Sequence, residues 1–200
     1  MSDTLASKDV DTRCRIVAQA ERFFRTFGYQ KTTVADIAKA LKMSPANVYR
    51  FFDSKKSINE AVARQLMGEV EAALQAIADE QGPAPDRVAR FARTMHQMNA
   101  SRYVGDRMMH EMVSVALDES WSIVHEHLLR VRRMMAKIIA DGVAQGAYTV
   151  ADPVATAGCV HASLVKFCHP QLIAQCAEGD PGPDIETMIA FIQRGLGART

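Results

Sequence analysis

Three short segments place histidine or cysteine residues close together along the chain, and these residue types bind transition metals. The segments are "HEH" at 125–127, "CVH" at 159–161 and "CH" at 168–169. Residues two positions apart lie on different faces of a helix, so His125 and His127 cannot easily share one ion. The spacing argues against a metal sensor, and we expect neither a metal nor another cofactor.

The cysteines offer a second chemistry, reversible thiol oxidation. Four cysteines in 200 residues, without paired short spacings, do not form a disulfide framework or a zinc knuckle. We expect them to be reduced and mostly packed. A thiol switch at Cys159, Cys168 or Cys176 remains an alternative, because thiol reactivity depends on exposure and thiolate character.

Motifs of enzymes and of membrane proteins are missing from the sequence. It has no nucleophile elbow, no glycine-rich phosphate loop and no zinc-protease helix motif, so an enzyme is not expected. The first residues have no apolar h-region, and no stretch reaches the roughly 18 uncharged apolar residues of a membrane span. With 48% hydrophobic residues the chain can bury a core. These features predict a cytoplasmic protein without a membrane partner.

Charge is distributed unevenly, although the formal net charge is only +1. Residues 13–56 contain ten Lys and Arg against three Asp and Glu, a surplus of +7. Residues 61–200 contain thirteen against sixteen, a deficit of −3. This asymmetry indicates that the N-terminal part meets a polyanion and that the remainder has another task.

Apolar residues recur at helical spacing through most of the chain, and no strand pattern of useful length occurs. Breakers stand at "GPAPD" (82–86), "GAYTVADP" (146–153) and "EGDPGPD" (178–184). A first helix over 10–27 ends at Gly28, and a later one begins near Gly105. Thr33 and Ser44 can cap two short helices. The sequence predicts an all-α fold of about nine helices.

The two short helices, with a tight connection at 41–44, match a helix-turn-helix unit, whose second helix enters the DNA major groove. Apolar residues stand where these helices would face each other and the first helix, and a small residue where backbones approach: Ile37, Leu41, Met43, Val48 and Phe51, with Ala38. The second helix can be short because the groove is only about 12 Å wide. We expect Phe51 and Phe52 to anchor its end in the core.

The segment "TTVADIAKALKMSPANVYRFFDSKKSINEAV" resembles the DNA-binding domain of the tetracycline-repressor (TetR) family, and the likeness covers about residues 13–62. One departure is Lys42, which stands where the family has glycine in the turn. A non-glycine residue in the left-handed conformation costs about 1 kcal/mol, which a packed domain tolerates.

The resemblance implies a DNA-binding domain over 10–56, followed over 57–200 by a larger helical domain for ligand binding and dimerisation. It implies a regulator of transcription, by family expectation a repressor, that binds a palindromic operator as a homodimer and is released by a small-molecule effector. Small and apolar C-terminal residues would suit packing on a second copy, or else an intramolecular core: Ala155, Gly158, Ala162, Val165, Ile185, Ile189 and Ile192. An architectural DNA-binding protein is a further alternative.

Matching positions to the family assigns roles in DNA binding. Pro45, Ala46 and Asn47 would meet base edges, with Asn47 able to pair with adenine. Phosphate contacts are implied for a second set: Thr33, Ser44, Tyr49, Arg50 and Lys55. Thr33 and Ser44 could also act as helix caps only, and Arg50 could simply be solvated.

The effector is expected to be largely apolar, because bulky, soft side chains meet a few polar ones in the C-terminal part. The candidate pocket residues are Phe91, Met95, Met108, Met112, Trp121, His125 and His161. Methionine suits an adaptable cavity, although at helical spacing it is equally suited to plain core.

Overall fold

The computed structural model describes residues 2–103, 107–176 and 182–197. Within these ranges it contains ten α-helices and no strand, so the predicted all-α class is confirmed. The helices are α1 (Ser2–Phe27), α2 (Val34–Ala40), α3 (Pro45–Tyr49), α4 (Lys55–Asp79), α5 (Ala84–Tyr103), α6 (Arg107–Glu119), α7 (Trp121–Ala144), α8 (Pro153–Cys168), α9 (Pro170–Cys176) and α10 (Ile185–Gly195).

The helix that the sequence did not predict is α9. It follows α8 after one residue, His169, whose backbone is extended (φ −77°, ψ 123°). A residue before proline avoids the helical region, and Pro170 can itself begin a helix, so one helical segment becomes two. The predicted helix start at Gly105 and most of the predicted breaker at 178–184 lie outside the described residues.

The chain divides into two compact units. The N-terminal unit comprises Met1–Leu66 and Asp106–Val124, and the C-terminal unit comprises Met67–Gly105 and His125–Thr200. Helices α4 and α7 therefore each contribute residues to both units. These units are defined by packing, and the functional boundary between 56 and 57 stays a prediction.

The core of the N-terminal unit surrounds the two short helices. Ile16, Ala20 and Phe24 form a fully buried stripe along α1, four residues apart, as an amphipathic helix requires. Ile37 of α2 and Val48 of α3 are fully buried as well. Each short helix is therefore held by an inward-facing aliphatic side chain, which leaves its polar residues outside.

The C-terminal unit has its own core, formed by α5, α7, α8, α10 and the end of α4. Its one strongly buried cation in the described part is Arg87, which is 3% exposed. Arg87 donates to the carbonyls of Ile77 and Ala78 and forms an ion pair of 2.8 Å with Asp141. Arg87 thus satisfies carbonyls at the end of α4 that have no helical partner. No helix in the described ranges is long and apolar enough to cross a membrane.

Candidate nucleic-acid interface

Helix α2 begins with a reciprocal capping box. The Thr33 hydroxyl oxygen accepts from the Asp36 amide at 3.1 Å, and the Asp36 carboxylate accepts from the Thr33 amide at 3.0 Å. The Thr33 hydroxyl also donates to Asp36 at 2.6 Å, and these bonds lower the pKa of the Asp36 carboxyl. Thr33 is therefore a cap, and its hydroxyl proton is already committed to Asp36.

The turn between α2 and α3 is a Schellman motif. Met43 N donates to Ala38 O at 2.9 Å and Lys42 N donates to Lys39 O at 3.1 Å. Lys42 has φ +56°, the left-handed conformation that glycine adopts more readily. The turn therefore keeps its geometry without the glycine of the family pattern.

Helix α3 is capped and almost entirely exposed on one side. The Ser44 hydroxyl oxygen accepts from the Asn47 amide at 3.2 Å, and Pro45 occupies the first helical position. We use "recognition face" for the surface formed by Ser44, Pro45, Ala46, Asn47, Tyr49 and Arg50. All of these residues are exposed except Asn47, which is half-buried.

Two members of the recognition face touch each other. Arg50 donates through Nη1 to Oδ1 of Asn47 at 3.4 Å, a long hydrogen bond. A paired contact to adenine needs both the oxygen and the nitrogen of the Asn47 amide. The Asn47 oxygen has two lone pairs, so it can keep this weak bond and still accept from a base.

Lys55, the first residue of α4, lies against the segment that leads into α2. Its Nζ donates to the carbonyl oxygens of Tyr29 at 3.0 Å, Thr32 at 3.2 Å and Gln30 at 3.4 Å. The same nitrogen lies 4.3 Å from the centre of the Tyr29 ring. The structure thus places the ammonium among main-chain carbonyls, and its predicted phosphate contact stays a prediction.

Arg13 is a residue that sequence reasoning missed, because it was counted only as one base among ten. Its Nη1 donates to the carbonyl oxygen of Phe51 at 2.7 Å, just beyond the end of α3. Its guanidinium carbon lies 4.1 Å from the centre of the Phe52 ring. Phe51 and Phe52 are 38 and 39 positions away, so local spacing carries no signal of this contact.

Three predicted ligand residues come together in the C-terminal unit. Phe91, Met95 and His161 line a cavity of about 10 Å³, together with Val131, Arg132, Met135, Val160 and Leu164. Burial, with the nearby charge of Arg132, lowers the pKa of His161 to about 4. A pocket for a drug-sized ligand measures some 300–1,000 Å³, so this cavity is closed to such a ligand in the present conformation.

The other four predicted ligand residues do not line that cavity. Met112 is buried in the N-terminal unit. Met108, in the same unit, lines an open groove of about 770 Å³ together with Phe23 and Phe27. Trp121 and His125, near the start of α7, are both exposed. The structure therefore assembles only part of the predicted set.

The histidine and cysteine side chains of the described residues bear on the metal and thiol alternatives. Among them, no group of three or more His, Cys, Asp and Glu could hold a metal ion. Burial raises the pKa of the Cys168 thiol to about 12, and a thiol in that state is a poor nucleophile. Cys159 is exposed and Cys176 is half-buried.

Comparison with known proteins gives matches over both parts of the chain. Residues 84–188 match the domain family "Tetracyclin repressor-like, C-terminal domain", and residues 16–62 match "Bacterial regulatory proteins, tetR family". A curated relative is the uncharacterized HTH-type transcriptional regulator YhgD of Bacillus subtilis, 20% identical, with 94% of this chain and 98% of that protein covered.

Solved structures share the fold. A putative transcriptional regulator from Saccharomonospora viridis in complex with choline has a TM-score of 0.66 and 21% identity, covering 94% of this chain and 96% of that one. RolR in complex with resorcinol has a TM-score of 0.64 and 18% identity, covering 97% and 91%. A regulator from Thermobifida fusca has a TM-score of 0.62 and 20% identity, covering 93% and 96%.

Proposed function

The chain belongs to the tetracycline-repressor (TetR) family of DNA-binding transcriptional regulators, and we propose that it is a repressor that binds a palindromic operator as a homodimer and is released by a small molecule. The observation that carries this proposal is the recognition face. It presents polar and small side chains on a capped, rigidly backed helix. A regulator needs such a face to read base edges.

In this proposal the N-terminal half of α3 contacts the base edges. A helix of five residues is about 7.5 Å long, which fits within a major groove about 12 Å wide. Pro45 and Ala46 are exposed and apolar, suited to a thymine methyl group, and Asn47 carries the amide that suits adenine. These three residues would carry the sequence preference.

In this proposal the residues around that helix bind the DNA phosphates. Tyr49 is 51% exposed, and Arg50 follows it on the same exposed surface. Ser44 and Thr33 lie at helix N-termini, where the amide groups favour anions. Lys55 belongs with this set by the family pattern, yet its ammonium already donates to carbonyls. Phosphate contacts would orient the protein without reading sequence.

A homodimer is supported by the outer surface of α8 and α10. Ala155, Ala162 and Val165 are exposed on α8, and Phe191 on α10 is 58% exposed. Such unpaired small and apolar residues suit close packing of helices across a two-fold axis. Ile189 and Ile192 follow the intramolecular alternative instead, because they pack into the core of their own unit.

A small-molecule effector is supported by the cavity around His161. Its lining is mostly apolar, with His161 and Arg132 as the polar members. Solved relatives with the same fold hold choline and resorcinol. Since the cavity is closed, an effector would have to select an open conformation, and only a difference in affinity between the two conformations can drive release.

Selection of duplexes from a random pool tests the proposal. The purified chain should enrich a palindromic sequence and bind it about a thousandfold or more tighter than unrelated DNA. Candidate effectors added to the bound complex should then release it. A chain that enriches no sequence, or binds all duplexes alike, would contradict the proposal and favour an architectural protein.

A further inference from the structure

The N-terminal unit contains an open groove that is lined by the end of α1, by α2 and by Met108 of α6, and we call it the α1–α2 groove. Its volume is about 770 Å³, within the range of some 300–1,000 Å³ that is usual for small-molecule sites. It shares no lining residue with the cavity around His161, which measures only about 10 Å³. The α1–α2 groove can therefore admit a ligand without a prior opening.

Aromatic and sulfur-containing side chains form the apolar part of the α1–α2 groove. Phe27 is 53% exposed, although a phenylalanine side chain is usually covered. Phe23 meets it edge to face, with the ring centres 5.5 Å apart. Met108 adds a polarisable thioether, which makes favourable contacts with aromatic rings. An aromatic ligand would therefore have both rings and sulfur to pack against.

The walls of the α1–α2 groove are joined by contacts around Gly28. A Cβ atom at Gly28 would lie 2.7 Å from Oε2 of Glu111 and 3.0 Å from Sδ of Met108, so the glycine allows these α6 side chains to approach the end of α1. Glu111 also accepts a hydrogen bond from the Gln30 amide at 3.0 Å. The buried Thr32 hydroxyl donates to the Gly28 carbonyl at 2.8 Å. These contacts fix the position of Met108 in the groove.

The charged side chains of the α1–α2 groove favour an anion. Lys31 and Lys39 both line it and both are exposed. Asp36, the acid of the lining, accepts through Oδ2 from the amide and the hydroxyl of Thr33, at 3.0 and 2.6 Å. Lys31 has no hydrogen bond or ion pair through its side chain to any described residue. The lining therefore carries a net charge of +1, and the Lys31 ammonium is available to a carboxylate.

We propose that the α1–α2 groove is a binding site for a small organic anion with an aromatic body. The body packs on Phe23, Phe27 and Met108, and the carboxylate meets the ammonium groups of Lys31 and Lys39. This site is additional to the cavity around His161, and the proposal does not depend on the proposed function. A ligand in the groove contacts α2, which packs against α3.

The test titrates the full chain with three naphthalene probes of different charge: the anion naphthoate, the neutral naphthamide and the cation naphthylmethylammonium. Isotope-labelled methionine methyl groups, followed by NMR, report where each probe binds. The Met108 methyl group reports on the α1–α2 groove, whereas those of Met95 and Met135 report on the cavity around His161. A Met108→Leu variant assigns the Met108 signal.

Naphthoate should shift the Met108 signal to saturation, with a dissociation constant of about 1 mM or less. Naphthamide should bind there about tenfold more weakly, and the cation more weakly still. Shifts at Met95 and Met135 without a shift at Met108 would place the probe in the other cavity and overturn the proposal. Equal affinity for all three probes would overturn the preference for an anion.

Variants of the two lysines test the charge. Lys31→Gln and Lys39→Gln should each weaken naphthoate binding about threefold, as expected for exposed ion pairs, and should leave naphthamide binding unchanged. Lys56→Gln is the matched control, because it removes an exposed lysine of the same unit that does not line the groove. The same naphthoate affinity in Lys31→Gln, Lys39→Gln and Lys56→Gln would overturn the role of the two lysines.

Variants of the apolar lining test the position of the aromatic body. Phe27→Gln should weaken naphthoate and naphthamide alike, by about tenfold, because it removes the exposed ring. Val10→Gln is its control, an exposed apolar residue of α1 outside the groove.

A second variant fills the groove and removes no contact, so it keeps the test decisive should Phe27→Gln fail to fold. Ala40→Trp adds a ring at an exposed position of the lining and should lower naphthoate affinity at Met108 about tenfold or more. Ala35→Trp adds the same ring at an exposed position of α2 outside the groove and should bind like the wild type. Wild-type affinity in Ala40→Trp would overturn the proposed site.

Discussion

Arg132 donates a hydrogen bond from Nε to Nδ1 of His161 at 3.1 Å, and this contact determines which imidazole nitrogen carries no proton. His161 is buried in the C-terminal unit, and burial is the main cause of its lowered pKa. The charges of Arg132 and His127 act in the same direction. A neutral imidazole is therefore part of the closed cavity.

His161 should make the stability of the protein depend on pH. Its folded pKa of about 4 lies below the ordinary 6.5, so between these values the unfolded chain binds a proton that the folded chain does not. The free energy of unfolding should fall as the pH drops from 6.5 towards 4. The free energy of unfolding, measured with urea at pH 7.5 and at pH 5.0, should fall less for His161→Gln than for the wild type. The two decreases should differ by about 1 kcal/mol or more.

His125→Gln serves as the control for that measurement, because it removes an exposed histidine from the same unit. If the free energy of unfolding changes with pH by the same amount in the wild type and in His161→Gln, then His161 does not remain neutral in the folded state.

Asn47→Ala should relax the sequence preference at one position of each half-site. Loss of a paired amide contact to adenine costs about 1 to 3 kcal/mol on the selected duplex. On duplexes with that base pair changed, variant and wild type should bind almost equally. Titration of a set of singly substituted duplexes measures this, and a variant that still discriminates at every position would exclude Asn47 as a base contact.

Lys42→Gly should stabilise the protein, since glycine relieves the left-handed strain at φ +56°. The gain should be up to about 1 kcal/mol, visible as a rise in the midpoint of thermal unfolding. Lys42→Ala is the matched control, because it removes the charge and keeps the Cβ atom. Equal midpoints for the two variants would show that backbone strain is not what limits the turn.

Arg87→Met should destabilise the C-terminal unit by about 3 kcal/mol, because it leaves the carbonyls of Ile77 and Ala78 without their buried donor. Arg90→Met is the control, since Arg90 pairs with Glu80 on the surface and exposed pairs contribute little. Urea unfolding measures both variants. A similar loss for both would mean that the end of α4 does not depend on Arg87.

Ala162→Arg should convert the proposed dimer into a monomer, because a long charged side chain would be forced into the proposed helix contact on α8. Ala76→Arg, at an exposed position of α4, should leave assembly unchanged. Sedimentation velocity of the two variants and the wild type measures the result. A dimeric Ala162→Arg protein would place the interface elsewhere.

Prediction from sequence succeeded where the determining interactions are local. The fold class follows from a 3.6-residue apolar period, as in the buried stripe of Ile16, Ala20 and Phe24. The caps at Thr33 and Ser44 follow from contacts three residues apart, which the order of residue types already specifies. Lys42 in the left-handed conformation followed from the family pattern, and the structure confirms it.

Local pattern also limited the prediction, because it could not show which distant groups a side chain meets. The phosphate contact of Lys55 stays a prediction, but the sequence did not show that its ammonium also lies at carbonyls more than twenty positions away. Of the expected pocket residues, only Phe91, Met95 and His161 share one cavity.

By itself, the sequence determined that the chain is helical, where the short helices of the recognition unit begin, and which side chains they expose. Only the tertiary structure decided that Arg13 reaches Phe51, that Lys55 faces Tyr29, and that the cavity beside His161 is closed. The physical reason is that caps and periodicity depend on neighbours within one or two helical turns. The partners of a long side chain depend on how whole helices pack.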